Sequence, residues 1–234
     1  MNAPELPSTV VDHLPEPVVI HAADVRLPGI LTLPPHPLGL VVFAHGSGSS
    51  RFSARNRRVA DALVAANFGT LLFDLLTDRE AADRANVFDI LLLAGRLHSA
   101  TDWAAGYPAT ADLPIGYFAA STGAAAALVA AAGAGPRIRA VVSRGGRPDL
   151  AGEFLPRVKA PTLLIVGGAD FGVLSLNQAA LARLGGIRRL VVVPGATHLF
   201  EEPGALDNVA GLAAFWFGRH LSGRESAPSI RKVS

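Results

Sequence analysis

Three residues with the chemistry of a nucleophile, an acid and a base each follow a short apolar run. Ser121 stands in Ala119-Ala120-Ser121-Thr122-Gly123, between the run 115–119 and an alanine-rich stretch. Asp170 closes Gly167-Gly168-Ala169-Asp170 after the run 162–166, and His198 closes Pro194-Gly195-Ala196-Thr197-His198 after 190–193. A serine hydroxyl is a weak nucleophile until a base takes its proton. An imidazole base in turn needs an acid to fix its tautomer and stabilise the cation that forms. These types together imply acyl chemistry at Ser121, with His198 as base and Asp170 as its orienting acid. The order serine, acid, histidine is the order in which a sheet of alternating strands and helices supplies these roles. Each residue also has a plainer use: Ser121 or Asp170 as a helix N-cap, His198 as a hydrogen-bonded loop residue.

A serine forced into a sharp strand-to-helix turn projects its hydroxyl above the sheet, and small neighbours permit the close backbone approach this needs. Here Ala119 stands where glycine is usual, while Gly123 is retained. The tetrahedral intermediate requires N–H donors. The N–H of Thr122 is one candidate, and that of Ser47, in His45-Gly46-Ser47-Gly48 after the run 40–44, is the other. His45 is read as a brace for this turn rather than a proton carrier. His13, His21, His36, His98 and His220 lie before the sheet, within a helix or near the tail, and are less suited to the base role. Gly46, Gly48, Arg51 and Arg144 are the candidate substrate contacts. Arg51, Arg55, Arg144 and Glu80 all follow strand ends, so one arginine could recognise a substrate carboxylate in a two-pronged hydrogen bond. An ion pair of Arg144 with Glu80 or Asp149 is the preferred alternative. Gly46-x-Gly48 is half of a dinucleotide fingerprint, but Arg51 occupies the place of its third glycine, which disfavours nucleotide binding.

Positioning three such residues at one rim requires a sheet. Runs at 40–44, 70–75, 115–119, 140–143, 162–166 and 190–193 are rich in Val, Ile, Leu and Phe and lack polar alternation, the mark of strands covered on both faces. Segments 54–66, 87–104, 122–132, 176–184 and 205–220 have helical character. Their alternation predicts an α/β fold, a doubly wound and mostly parallel sheet flanked by helices, with ligands gathering where strands end. Runs 18–20 and 25–33 predict an amino-terminal hairpin, with the proline-rich segment 34–37 as its closing turn.

Composition narrows the functions. The 234 residues are 50% hydrophobic and 17% charged, enough apolar surface for a packed fold and sized for one domain, expected over 18–221. Residues 1–17 read as an extension and 222–234 as a mobile tail. The net charge of +2 comes without a basic block, so nucleic acid is not an expected partner. The absence of cysteine excludes thiol nucleophiles, disulfides and Cys-ligated metals. The proline-rich, acidic start is unlike a secretion signal, which predicts a cytoplasmic protein. The uncharged stretch 113–135 is broken by Pro114 and glycines, and fits a strand, turn and buried helix better than a membrane span.

The chain resembles the α/β-hydrolase superfamily. The resemblance runs from about residue 18 to residue 220 and rests on strand-His-Gly-Ser-Gly, strand-Ala-x-Ser-x-Gly-helix, strand-Asp and strand-His. The segments around Phe43–Arg51, Leu72–Leu76, Ser143–Asp149 and Gly195–Glu201 are similar to small dienelactone-hydrolase-like members. Dienelactone hydrolases proper use cysteine where Ser121 stands here. The resemblance implies a serine hydrolase of small carboxylic esters or lactones that needs no metal or organic cofactor. Arg144 to Pro161 spans 18 residues, room for one short helix and no sizeable lid, so an open pocket for small soluble substrates is expected. The rival expectations are a catalytically silent scaffold that binds a small ligand, and an acyltransferase using the same three residues.

Overall fold

The structure, a computed structural model, describes residues 14–221. The expected tail 222–234, His13 and most of the expected extension lie outside that range. Eight strands form one sheet in the order β1-β2-β4-β3-β5-β6-β7-β8. β1 (Glu16–Ala22) and β2 (Val25–Thr32) form an antiparallel hairpin, and β2 is antiparallel to β4 (Gly69–Phe73). From β4 onward the pairs are parallel, through β3 (Leu40–Ala44), β5 (Ile115–Ala120), β6 (Ile138–Arg144), β7 (Thr162–Gly167) and β8 (Arg188–Val193).

Successive strand residues serve opposite faces. In β3, Leu40, Val42 and Ala44 enter one core, while Val41 and Phe43 enter the other. The first core is covered by α4 (Ile90–Gly106) and α5 (Gly123–Ala134), with Ala180 and Leu184 at the end of α6 (Phe171–Arg183). The second is covered by α1 (Ala54–Ala65) and α7 (Ala205–His220). Helix α5 is almost wholly buried, which its run of alanines allows: small side chains let it lie close to the sheet, to α4 and to the 3₁₀ segment Pro148–Arg157. The fold is therefore the expected doubly wound α/β sheet.

Several local expectations are corrected. The hairpin turns at Ala23 and Asp24, with Ala23 at φ 52°, and the proline-rich segment instead leads from β2 toward β3. Residues 16 and 17 belong to β1 rather than to an extension, because an edge strand tolerates Pro17. The expected helix 87–104 is preceded by two one-turn helices, α2 (Asp78–Ala81) and α3 (Arg84–Val87), each opened by a side-chain cap. β8 is not covered on both faces: as an edge strand it leaves Arg188, Arg189 and Val192 exposed.

Candidate active site

Ser121 sits between β5 and α5 with φ 51°, in the left-handed region that a non-glycine residue adopts only under constraint. The surroundings supply that constraint. Its carbonyl accepts from the N–H of Ala124 at 3.1 Å and of Arg147 at 2.9 Å. A Cβ on Gly123 would lie 2.4 Å from the carbonyl oxygen of Ala44 and 2.5 Å from that of His45, so only glycine lets α5 start this close to the end of β3. Ser121 is not a capping serine: Thr122 holds the cap position, and no side chain caps the helix.

Asp170 occupies the N-cap position of α6, yet its carboxylate makes no capping bond. It turns instead to His198, whose Nδ1 lies 2.7 Å from Oδ2. A carboxylate can only accept, so Nδ1 carries the hydrogen and Nε2 is the basic nitrogen. The loops carrying the two residues are tied together by N–H bonds from Gly168 to the carbonyl of Val193 and from Ala169 to that of Ala196. Gly167 makes this possible, since a Cβ there would meet the Ala196 oxygen at 2.3 Å. The Asp170 carboxylate is thus not a helix cap, and His198 is a hydrogen-bonded loop residue whose partner is that carboxylate.

A cavity of about 260 Å³ is lined by Ser121, His198, Gly46, Ser47 and Arg144, together with the first turn of α1. Ser121 and His198 share this space without a direct hydrogen bond, an arrangement that often tightens only around a substrate. Asp170 stands behind His198. The Ser47 N–H donates to Thr122 Oγ1 at 2.9 Å, so in this structure it is held by the side chain of the other expected donor residue. Gly48 lies outside this cavity and lines two neighbouring ones. The larger of those, about 290 Å³, sits across the 46–49 turn beside His45, Asp74, Leu75 and Leu93, and contains neither Ser121 nor His198.

His45 braces the turn as expected. Its Nε2 accepts from the Leu75 N–H at 3.1 Å, and Nδ1 lies 3.0 Å from the Gly46 carbonyl. Burial lowers its pKa below the ordinary histidine value, against smaller upward effects of the Gly46 carbonyl and the Asp74 charge.

The arginines correct the sequence reading. Arg51 does not line the Ser121 cavity: its guanidinium pairs with Asp74, and its N–H donates to Asp74 Oδ1 at 2.7 Å. Arg144 makes neither expected ion pair, because Glu80 is bound to Arg96 and Asp149 to Arg147. It is 7% exposed, and its Nη2 reaches only Asn56 Oδ1 at 3.4 Å. Burial, then the neighbouring Arg55 charge, lowers its pKa to about 10, still cationic at neutral pH. Ser49, Ser53, Asn56 and Leu199 also line the cavity and were not singled out from the sequence. Ser53 was the available signal, since a serine before the helical segment 54–66 places residues 55 and 56 in the first turn, beside the strand ends.

No family model matches the sequence. Two Mycobacterium tuberculosis proteins, from strains CDC 1551 and H37Rv and provisionally named phosphoribosyl transferases, are each 64% identical over 208 residues, 89% of this chain. The chain spans 47% of their length, about half of each protein. A dienelactone hydrolase from Anabaena variabilis is 54% identical, with TM-score 0.86, over 89% of this chain and all of that one. Est1E from Butyrivibrio proteoclasticus, at 15% identity and TM-score 0.72 over 86% of this chain and 99% of its own, shares the fold. Among the described residues no helix is long and apolar enough to cross a membrane. Strand order, the strained serine turn and the full-length likeness to the Anabaena protein agree, and the chain belongs to the dienelactone hydrolase family of α/β hydrolases.

Proposed function

We propose that the chain hydrolyses small carboxylic esters or lactones through an acyl-enzyme on Ser121. The observation that carries this reading is a serine held at φ 51° in the same cavity as a histidine whose far nitrogen is fixed by a carboxylate at 2.7 Å. In the first half-reaction His198 Nε2 takes the Ser121 proton as Oγ bonds to the carbonyl carbon. The negative oxygen is received by the N–H of Thr122 and that of Ser47, for which it competes with the Thr122 hydroxyl. The intermediate collapses, the carbon–oxygen bond to the alcohol breaks, and His198 returns the proton to the departing alcohol. Water then repeats the sequence on the acyl-enzyme, with His198 as base, and releases the acid and free Ser121.

The segment between β6 and β7 holds only the 3₁₀ stretch Pro148–Arg157, which supports a preference for short acyl groups. The transferase name of the M. tuberculosis proteins belongs to chains about twice this long. We take it to describe chemistry of the part this chain does not span, because the cavity here is built around a serine nucleophile. A panel of p-nitrophenyl esters of increasing chain length, run beside small lactones, tests the proposal. Turnover falling with acyl length and covalent labelling of Ser121 by a fluorophosphonate support it. Absence of both turnover and labelling points to the silent binding scaffold, and product formation only with an added alcohol or amine points to acyl transfer.

A further inference from the structure

Two arginines, Arg55 and Arg144, line the Ser121 cavity, and no Asp or Glu is among its lining residues. Arg144 is more than nine-tenths buried, with no acidic partner, and its Nη1 is a buried nitrogen without a hydrogen-bond acceptor. Arg55 Nε is likewise buried and without an acceptor, while its Nη1 meets Glu201 Oε1 at 3.2 Å on the exposed side. A buried cation left uncompensated is costly to maintain, and the expected remedy is an anion supplied from outside the fold. The 12-residue helix α1 also begins at this wall. Its Ser53 cap accepts from the Asn56 N–H, and the Asn56 side chain in turn holds Arg144. Ser49 and Ser53, both hydroxyl-bearing, also line the cavity and complete this wall.

We propose that this wall is a phosphate subsite, and that the substrate of Ser121 is a small ester or lactone that also carries a phosphate monoester, bound between Arg144, Arg55 and the first turn of α1. A phosphate monoester brings three acceptor oxygens and close to two negative charges, matching two guanidinium groups, a helix start and serine hydroxyls better than a single carboxylate does. The phosphate is not attacked. It anchors the molecule so that the ester carbonyl, a few carbons away in the same cavity, rests at Ser121.

The subsite can be tested without turnover, although its assignment to substrate rests on the esterase reading. Binding of inorganic phosphate and of succinate to the Ser121→Ala protein is measured by calorimetry near pH 7.5, and repeated with Arg144→Gln or Arg55→Gln added. Phosphate is expected to bind at least tenfold more tightly than succinate. Each arginine change should weaken it roughly ten- to a hundredfold, the scale of a charged hydrogen bond. No phosphate binding, equal or tighter succinate binding, or phosphate binding unchanged in the arginine variants overturns the subsite. If Arg144→Gln fails to fold, the half-exposed Arg55 variant decides the question, with Arg144→Lys as a folded control that keeps the charge.

A second arm uses 3-acetoxypropyl phosphate beside 3-acetoxypropanol with the unmodified enzyme. At least a tenfold advantage in kcat/KM for the phosphorylated ester, lost in Arg55→Gln, is expected. Equal rates on the two esters, despite bound phosphate, overturn the substrate assignment. Phosphate binding with no hydrolysis of any ester overturns the esterase reading and leaves the subsite standing.

Discussion

The backbone N–H of Ser47 donates to the side-chain hydroxyl of Thr122 across 75 residues of sequence, at 2.9 Å. The bond links the turn after β3 to the start of α5, the two segments from which the oxyanion donors are proposed. Thr122 is 5% exposed, so its hydroxyl is a buried acceptor as well as a neighbour of the proposed nucleophile, Ser121.

Thr122→Val keeps the shape and removes the acceptor, leaving the Ser47 N–H without its partner. The expected cost is about 1–2 kcal/mol, read by urea unfolding, with Thr122→Ser close to the parent. Turnover should change less than tenfold, since the hydroxyl competes for that N–H rather than donating it to the substrate. A loss of several hundredfold in Thr122→Val would show that the hydroxyl takes part in the reaction.

Changes at the proposed nucleophile and acid should separate activity from folding. Ser121→Ala is expected to lower turnover of p-nitrophenyl acetate by roughly 10⁵-fold or more. Asp170→Asn should lower it by roughly 10⁴-fold, because an amide no longer fixes the tautomer that leaves Nε2 basic. Ser121→Gly should be equally inactive, with unfolding free energy unchanged or raised by up to about 1 kcal/mol as the left-handed strain is relieved. Steady-state rates and melting curves on the same preparations check all three.

His45 gives stability a pH dependence with a definite sign. Its folded pKa is lowered from the ordinary 6.5, first by burial, so the unfolded chain binds its proton more readily than the folded one. The stabilising contribution is complete above about pH 6.5 and is lost as pH falls through that value toward the lower folded one. His220, also lowered by burial and by Arg219, acts in the same direction. Between pH 8 and pH 5.5 the native protein should therefore lose more of its Tm than His45→Gln does. Equal losses would remove His45 from this account.

Glu80 and Arg96 form a pair that should prove unequal to its parts. Burial would raise the Glu80 carboxyl, but bonds from the Thr77 N–H and hydroxyl and the Arg96 charge outweigh it and hold the carboxyl below the usual range. Arg96, largely buried, also donates to the Ala22 carbonyl at 2.9 Å. Glu80→Ala removes the capping box of α2 and leaves Arg96 uncompensated, at an expected cost of roughly 2–3 kcal/mol. Adding Arg96→Met should recover part of that loss in denaturant titrations, whereas simple addition of two penalties would contradict the pairing.

The placement of Ser121 and Asp170 after β5 and β7 was legible because these interior strands are apolar on both faces and the loops after them are short, and that of His198 because the edge strand β8 still ends in the apolar run 190–193. Their partners were only partly so. Asp170 bound to His198 followed from its position after a strand, but the start of α6 at Phe171 did not, because an exposed Phe171 and Gly172 break the amphipathic pattern. α2 and α3 escaped notice because four residues carry no hydrophobic period; only the caps Thr77 and Asp83 mark them. The arginines were misjudged because pairing is decided in three dimensions. Glu80 and Asp149 had other partners nearer than Arg144, and nothing in linear order distinguishes Asp74 as the partner of Arg51.

The proposed base hangs from β8, the outermost strand, which has one hydrogen-bonded neighbour and charged side chains, Arg188 and Arg189, turned outward. Ser121 instead grows from β5, flanked by β3 and β6 in the middle of the sheet. Outer strands fray at lower free energy than inner ones. Warming or mild denaturant should thus draw the imidazole away from its carboxylate, which follows the inner strand β7, while the serine turn stays folded, so that the proposed activity is lost at conditions where most amide protons remain protected from exchange.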